Sequence, residues 1–323
     1  LWPKRGVEFL DDYGKGGHSR HDWLRGPCKS GLMPANGLLY CPPHQCFCYA
    51  GVKLDGFNAL APRRQQRNGS DKANPLEKGP SYDSNGLTSD AISSEEWPMF
   101  RHDVSRSGST GTVIPPQIST IWETDLDGDI TQPVVADGKL FVANKDAHCV
   151  RAFDAKTGVP VWSYTAGGRV DSPPAFYRGL VLFGSADGWV YCLRGSDGEF
   201  VWRFRAAPEE RRIVAFGQLE SAWPVHGSVL VKDDVVYFAA GRSSYLDGGI
   251  YVYGLDPLTG EKLHEIRLEG PDPGHGRTEN HAFDMEGTKS DVLVTDGEYL
   301  YMQQTVLDFS LDRKSTRLNS SHY

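Results

Sequence analysis

Short apolar runs alternate with turn-forming residues along much of the chain. Between residues 132 and 164 the runs are QPVVA, KLFVA, CVRAFD and PVWSY. They are separated by Asp-Gly, Lys-Asp and Lys-Thr-Gly, which favour tight turns. Because no helical period competes with these runs, the pattern predicts four short β-strands.

This four-strand pattern recurs with a period of about 40 residues. Trp122, Trp162 and Trp202 are each 40 positions apart, a third copy follows, and a fourth begins at SDVLVTDGEYLYMQQ. Four strands in about 40 residues is the period of a propeller blade. We therefore predict an all-β fold, a β-propeller of four-stranded antiparallel blades, with about four blades in this chain.

One turn of the repeat carries a signature, AFDAKTGVPVW, which spans the third strand, the turn and the fourth strand. Its Asp and Thr can hydrogen-bond the turn backbone, its glycine can adopt a positive φ, and its tryptophan can pack on the neighbouring blade. We predict that this motif and its equivalents in the next two copies hold the fold together. The residues are Ala152, Asp154, Thr157, Gly158, Trp162, Gly198, Trp202 and Gly260.

The motif resembles the tryptophan-docking motif of the pyrroloquinoline-quinone-type propellers, Ala-x-Asp-x-x-Thr-Gly-x-x-x-Trp. The resemblance covers about residues 97–311, and WPMFRHDVSRSG at its start looks like the first strand of bacterial propellers of this kind. The family includes quinoprotein alcohol dehydrogenases and the propeller lipoprotein of outer-membrane protein assembly. The resemblance implies a fold that commonly closes at eight blades and a periplasmic or secreted location.

The chain before this region has a different composition. Residues 1–62 hold four of the six cysteines, and PANGLLY within them imitates VADGKLF of the first repeat, so we interpret them as a partial blade. Residues 63–95 are polar and aperiodic, and we interpret them as a loop or linker before the repeats of 96–311.

The cysteines allow several interpretations. Thiolates and imidazole suit zinc or another soft metal, and the candidate ligands are Cys28, His44, Cys46 and Cys48. Disulfides in an oxidising compartment, or plain thiols under a loop, are the alternatives. Cys149 and Cys192 lie in strand runs, where we expect buried small hydrophobes.

The two ends and the charge narrow the interpretation further. Residues 312–323 read DRKSTRLNSSHY, and an allowed set of codons for them matches sequencing-adapter read-through, so we interpret them as an artefact. With Leu1 in place of an initiator Met, we expect a fragment that is truncated at both ends. The net charge of −8 argues against nucleic acid binding, and no apolar run is long enough for a membrane span.

Long connections point to one face of the propeller. In a four-stranded blade, the connection to the next blade and the loop between strands two and three emerge on the same face, which we call the loop face. The connection from Trp202 to Val229 takes 27 positions, against 12 from Trp162 to Pro174. The loop AGRSSYLDGG and the connection GPDPGHGRTENHAFDMEGT are also enlarged. Loops on a rigid scaffold commonly carry binding sites.

We predict a ligand site among these loops, near the mouth of the central channel. The hypothesis is a polar or acidic ligand held by Arg242 and Arg277, with Trp223 as an apolar wall. Ordinary solvated loops, with Trp223 and His226 packed beneath them, are the alternative. The candidate residues are Glu220, Trp223, His226, Arg242, Tyr245, Arg277, Glu279 and His281.

Two functions fit these features. The first is a non-catalytic binding or scaffold module that holds an unknown small-molecule or protein ligand on the loop face. The second, implied by the resemblance, is a pyrroloquinoline-quinone-dependent dehydrogenase with calcium, for which we assign no catalytic residue. The alcohol-oxidising members hold the quinone against a disulfide between adjacent cysteines, and no two cysteines here are adjacent. The sequence therefore favours the binding module.

Overall fold

The computed structural model describes residues 7–9, 19–21, 24–43, 57–61, 74–84, 96–215, 217–244, 247–270, 290–303 and 305–314. Within these ranges the chain forms antiparallel β-sheets and a short 3-10 turn at Tyr82–Ser84. This confirms the predicted all-β fold. No helical segment of the described residues is long and apolar enough to cross a membrane.

Two small sheets precede the repeats. They contain β1 (Val7–Phe9), β2 (Ser19–His21), β3 (Met33–Ala35), β4 (Leu38–Cys41) and β5 (Asn58–Leu60). The β3–β4 hairpin turns at Asn36-Gly37, where both φ angles are positive. That is the type I′ turn that matches the twist of the paired strands.

Three four-stranded blades form the body of the repeat region. After β6 (Leu76–Lys78), the first blade contains β7 (Val134–Ala136), β8 (Lys139–Asn144), β9 (Cys149–Asp154) and β10 (Pro160–Thr165). The second contains β11 (Ala175–Tyr177), β12 (Leu180–Gly184), β13 (Trp189–Arg194) and β14 (Phe200–Arg205). A hairpin of β15 (Arg212–Ala215) and β16 (Gln218–Ser221) precedes the third blade. That blade contains β17 (Leu230–Lys232), β18 (Val235–Ala240), β19 (Ile250–Leu255) and β20 (Lys262–Leu268).

A three-stranded sheet follows the third blade, where the sequence predicts the start of a fourth copy. Its strands are β21 (Val294–Thr295), β22 (Leu300–Met302) and β23 (Thr305–Leu307). Each neighbouring pair of sheets encloses its own buried apolar cluster. The second strands are therefore covered on both faces, which is why β12 (LVLFG) is a continuous apolar run buried along its whole length.

A tryptophan on the outer edge of one blade contacts a turn of the next. The indole Nε1 of Trp162 donates to Gly195 O at 3.0 Å, and its ring lies on Gly198, whose φ is +75°. A Cβ on Gly198 would lie 2.6 Å from Trp162 Cδ2, so only glycine fits beneath the ring. Trp122 and Trp202 repeat the contact, with Nε1 donating to Ala155 O at 3.0 Å and to Pro257 O at 3.1 Å.

The remaining motif residues shape the first of these turns. Asp154 Oδ1 accepts from the Thr157 backbone N–H and from Thr157 Oγ1, both at 2.8 Å. These hydrogen bonds stabilise the carboxylate and lower the pKa of Asp154. Ala152 is fully buried, while Gly158 and Gly260 have φ of +71° and +70° beneath Trp122 and Trp202.

The second blade carries a fifth strand from the polar segment before the repeats. β6 pairs antiparallel with β14, so that Leu76 lies opposite Phe204, Glu77 opposite Arg203 and Lys78 opposite Trp202. The sequence predicts only a loop or linker over residues 63–95, and β6 corrects that prediction. Three residues without a periodic pattern give no local signal, and the strand forms because the edge of β14 supplies its hydrogen bonds.

Candidate binding site on the loop face

Connections and second-to-third-strand loops meet on one face of the blades. The Ala186 N–H, in the β12–β13 loop, donates to Arg169 O at 2.7 Å, and the Ser221 N–H donates to Ala186 O at 2.7 Å. Ser185 O accepts from the Val225 N–H at 3.1 Å. The loop of the second blade is thus fixed between the connections on either side of it, so its backbone is a rigid support for side chains.

A cavity of about 540 Å³, lined by charged and polar residues, opens on this face. Side chains from the segment before the first blade, from the β8–β9 loop and from both neighbouring inter-blade connections line it. They are Asp129, Lys145, Asp146, Arg169, Asp171 and His226. Four separate stretches of chain therefore supply the site.

Asp171 is the centre of the charge network in this cavity. Arg169 donates to both of its oxygens, from Nε at 3.1 Å and from Nη2 at 3.0 Å, and His226 Nδ1 lies 2.5 Å from Oδ2. Burial by itself raises the pKa of Asp171, but the hydrogen bonds and charges of His226 and Arg169 lower it to about 2. Asp171 is therefore ionised at neutral pH and fixes the orientation of the His226 ring.

The second nitrogen of this imidazole faces a buried acid. His226 Nε2 lies 4.0 Å from Glu220 Oε1, and Glu220 is 4% exposed. Burial raises the pKa of Glu220, while the charges of His226, Arg169 and Arg242 oppose that increase. Among the described residues, no hydroxyl or thiol is hydrogen-bonded to His226 Nε2.

The sequence predicts that Arg242 holds a ligand and that Trp223 forms an apolar wall beside it, but both residues have different neighbours in the structure. Arg242 Nη2 lies 2.5 Å from Asp247 Oδ2, and Arg211 Nη2 lies 2.6 Å from the other oxygen of that carboxylate, whose side chain is 2% exposed. Trp223 is 3% exposed and has the Arg211 guanidinium 4.7 Å above its ring. Asp247 balances the charge of Arg242, and Trp223 lies beneath the loops instead of forming a wall for a ligand.

The β15–β16 hairpin spans the loop face from the second blade to the first. Its Gln218 donates from Nε2 to Asp146 Oδ1 at 3.1 Å, and Gln218 Oε1 lies 2.6 Å from His148 Nε2. On its other side Val214 packs against the N-terminal cluster of Val7, Leu24 and Cys41. The hairpin therefore connects the cysteine-containing sheets to the rim of the cavity.

The structure brings part of the predicted site together. Glu220, Trp223, His226 and Arg242 all lie on the loop face, and His226 lines the cavity. Tyr245, Arg277, Glu279 and His281 lie outside the described residues. Sequence reasoning missed the residues of the short connection and of the first blade, because it searched long connections only. The charged Arg-Val-Asp of that short connection was the available signal. The missed residues are Asp129, Lys145, Asp146, Arg169 and Asp171.

Only one of the four proposed metal ligands can be placed. Cys28 is an exposed free thiol, with Arg25 Nη2 3.6 Å from its Sγ, whereas His44, Cys46 and Cys48 lie outside the described residues. Cys149 and Cys192 are free and buried in β9 and β13, as expected for small apolar residues. Burial raises the pKa of Cys192 well above its ordinary value, which keeps the thiol protonated.

The three four-stranded antiparallel sheets have the architecture of β-propeller blades. A family model described as outer membrane protein assembly factor BamB matches residues 115–244, within the repeat region. The quinohemoprotein alcohol dehydrogenase of Comamonas testosteroni has the same fold, with a TM-score of 0.51, 17% identity, and coverage of 76% of this chain and 43% of that chain.

Two curated relatives carry different descriptions. The dehydrogenase subunit of alcohol dehydrogenase (quinone) from Gluconacetobacter polyoxogenes is 29% identical over 43% of this chain. Outer membrane protein assembly factor BamB from Burkholderia pseudomallei is 31% identical over 34% of this chain. The chain spans 20% of the length of the first relative and 30% of the second.

The described residues do not fit the quinone site that the resemblance implies. The chain has no adjacent cysteines, and its two cysteines within blades lie in β9 and β13 of different sheets. Nor do the described residues group three His, Cys, Asp or Glu side chains in a way that could hold a metal ion. We therefore derive no reaction step through a quinone.

Proposed function

We propose that this chain acts as a non-catalytic binding or scaffold module, outside the cytoplasm, that holds a protein partner on its loop face. The observation that carries the proposal is the convergence of four chain segments on one cavity, in which Asp171 already orients the side chains of Arg169 and His226. The similarity to an outer membrane protein assembly factor supports both the binding function and the location.

The charges of the cavity favour a partner segment with a cationic side chain. Arg169 and His226 already balance the Asp171 carboxylate. Of the other charged side chains that line the cavity, the two exposed carboxylates of Asp129 and Asp146 outnumber the single ammonium of Lys145. These two carboxylates can accept charge-assisted hydrogen bonds from an arginine or lysine of the partner. This reverses the sign of the ligand that the sequence suggested, because the expected cation Arg242 is paired with a buried carboxylate.

A basic peptide tests this proposal directly. We expect the amidated peptide Gly-Arg-Gly-Arg-Gly-Arg to bind the full chain in isothermal titration calorimetry at low ionic strength. The double variant Asp129→Asn/Asp146→Asn should bind about tenfold more weakly, equivalent to about 1.4 kcal/mol. Asp137→Asn is the matched control, because Asp137 is an exposed aspartate in a first-to-second-strand turn on the opposite face. Equal affinity of the double variant and the control would contradict the proposal.

The second candidate function is a quinoprotein dehydrogenase, and the observation that favours it is the similarity to the alcohol dehydrogenase subunit. Titration of the chain with pyrroloquinoline quinone and calcium separates the two candidates. Saturable quinone absorbance together with dye-linked alcohol oxidation would support the dehydrogenase. Peptide binding without quinone binding would support the module.

A further inference from the structure

The outer edge of the second blade shows how this fold receives an additional strand. β6 pairs with β14 and places Leu76 against Trp202, so that both side chains meet over Gly260. On the opposite face of the same strand, Glu77 Oε2 accepts from Arg203 Nε at 2.7 Å. With β6 in place, Trp202 is 0% exposed.

The outer edge of the first blade has no such cover among the described strands. β10 pairs with β9 only, and alternate residues along it are exposed. Trp162 makes the same contact with the next turn as Trp202 does, but Trp162 remains partly exposed. No described strand therefore covers the surface beside Trp162 that corresponds to the one Leu76 covers beside Trp202.

From Trp162 onward, β10 carries none of the charged residues that often protect an edge strand. Its sequence, PVWSYT, contains no charged residue, whereas the equivalent strand β20 of the third blade carries Lys262, Glu265 and Arg267. β10 has a bulge between Pro160 and Trp162. The corresponding bulge of β14 does not prevent β6 from pairing beyond it. The segment from Trp162 onward is thus available as a template.

An arginine beside this edge points to the chemistry of the occupant. Arg151 on β9 lies opposite Ser163 on β10. The position in the second blade that corresponds to Ser163 is Arg203, which lies opposite Glu77 of the added strand β6. The Nε of Arg151 is shielded from solvent and has no hydrogen-bond acceptor among the described residues. Ser163 is small, and an added strand would lie two strand spacings, about 9.5 Å, from β9. A carboxylate on that strand would be within reach of Arg151 across Ser163.

We propose that the edge of β10 binds an extended peptide of a partner protein by antiparallel strand addition. The peptide presents an aliphatic residue opposite Tyr164 and an acidic residue opposite Ser163, which are the positions that Leu76 and Glu77 occupy in the second blade. Main-chain hydrogen bonds supply affinity, whereas Arg151 and the apolar surface beside Trp162 supply specificity. This surface is on the outer rim and is independent of the loop-face cavity.

The chain itself supplies the probe. A fluorescein-labelled, capped peptide of residues 74–79, NPLEKG, is added to the full chain, and binding is measured by fluorescence anisotropy. We expect saturable binding and slowed amide hydrogen exchange at residues 161–165. Absence of binding, or slowed exchange only at the edge that β6 already covers, would overturn the proposal.

Charge reversal tests the acidic position. Arg151→Glu should weaken binding of NPLEKG about tenfold and should bind NPLKKG better than the wild-type chain does. Ser163→Lys should weaken NPLEKG binding to a similar extent, because a lysine on the edge blocks strand addition. Arg267→Glu, on the outer strand of the third blade, is the control and should leave binding unchanged. Equal binding to all variants would overturn the proposal. So would dimerisation of the chain through this edge, detected by size-exclusion chromatography and abolished by Ser163→Lys.

Discussion

Replacement of Asp171 by asparagine is the most direct test of the charge network on the loop face. The substitution keeps the size of the side chain and removes its charge. Arg169 and His226 then lose the carboxylate that both contact, while the side chain at position 171 remains largely buried. We therefore expect a loss of folding stability that arises from electrostatics and not from packing.

The lowered pKa sets the magnitude of this loss. Asp171 titrates at about 2 in the folded chain, against an ordinary value of 3.8. At 1.36 kcal/mol per pKa unit, ionisation of Asp171 stabilises the fold by about 2 kcal/mol. Because the folded pKa is the lower one, this stabilisation is fully present above the unfolded pKa and is lost as the pH falls towards 2. About half of it should remain at pH 3.

Urea unfolding followed by tryptophan fluorescence measures the effect. The Asp171→Asn variant should be about 2 kcal/mol less stable than the wild-type chain at pH 7 and at pH 5, and the difference should narrow below pH 4. Asp137→Asn, an exposed aspartate on the opposite face, should change stability by less than about 0.5 kcal/mol. A difference below about 0.5 kcal/mol at pH 7, or one that stays constant down to pH 3, would refute the assigned pKa.

Two further substitutions test the fold with matched controls in the same assay. Gly198→Ala and Gly138→Ala both place alanine at positive φ, +75° and +67°, but only a Cβ on Gly198 meets the Trp162 ring, at 2.6 Å. We expect backbone strain to lower the free energy of unfolding of both variants by about 1 kcal/mol, and the clash with Trp162 to lower that of Gly198→Ala by at least about 1 kcal/mol more. Equal losses for the two variants would contradict this. Asp247→Ala leaves two arginines without their buried carboxylate and should cost about 3 kcal/mol. Glu210→Ala removes an exposed ion pair with Arg212 and should cost less than about 0.5 kcal/mol, and similar losses for both variants would refute the buried pairing.

The blades could be predicted because their determinants are local and repeated. The type I′ turns at Asn36-Gly37 and Asp137-Gly138 require residues that accept positive φ, and such residues are visible in the sequence as turn signals. The 40-residue tryptophan spacing likewise reflects one contact made three times, from Nε1 of the ring to a turn carbonyl of the next blade. Repetition made both signals stronger than any single copy would be.

The candidate site was predicted less well because its contacts join distant parts of the chain. Connection length located the loop face and four of its residues, but length carries no information about which charges pair. Arg242 was expected to hold a ligand, and only the structure reveals the Asp247 carboxylate between it and Arg211. Asp171 was missed because its connection is short, and its partner His226 is 55 positions away.

Charge pairing and strand pairing explain why we propose different partners for the loop face and the outer rim of this chain. On the loop face, the buried side chain of Asp247 and the partly buried Asp171 each hold two cationic side chains. The charge that a partner meets is then set by the exposed Asp129 and Asp146, which outnumber Lys145. On the outer rim, β6 pairs with the edge of β14, whereas no strand of the described residues pairs with the outer edge of β10 beside Arg151. A basic segment on the loop face and an acidic extended segment on the rim therefore need not compete. Simultaneous binding of Gly-Arg-Gly-Arg-Gly-Arg and NPLEKG, without mutual change in affinity, is the expected result for two independent sites.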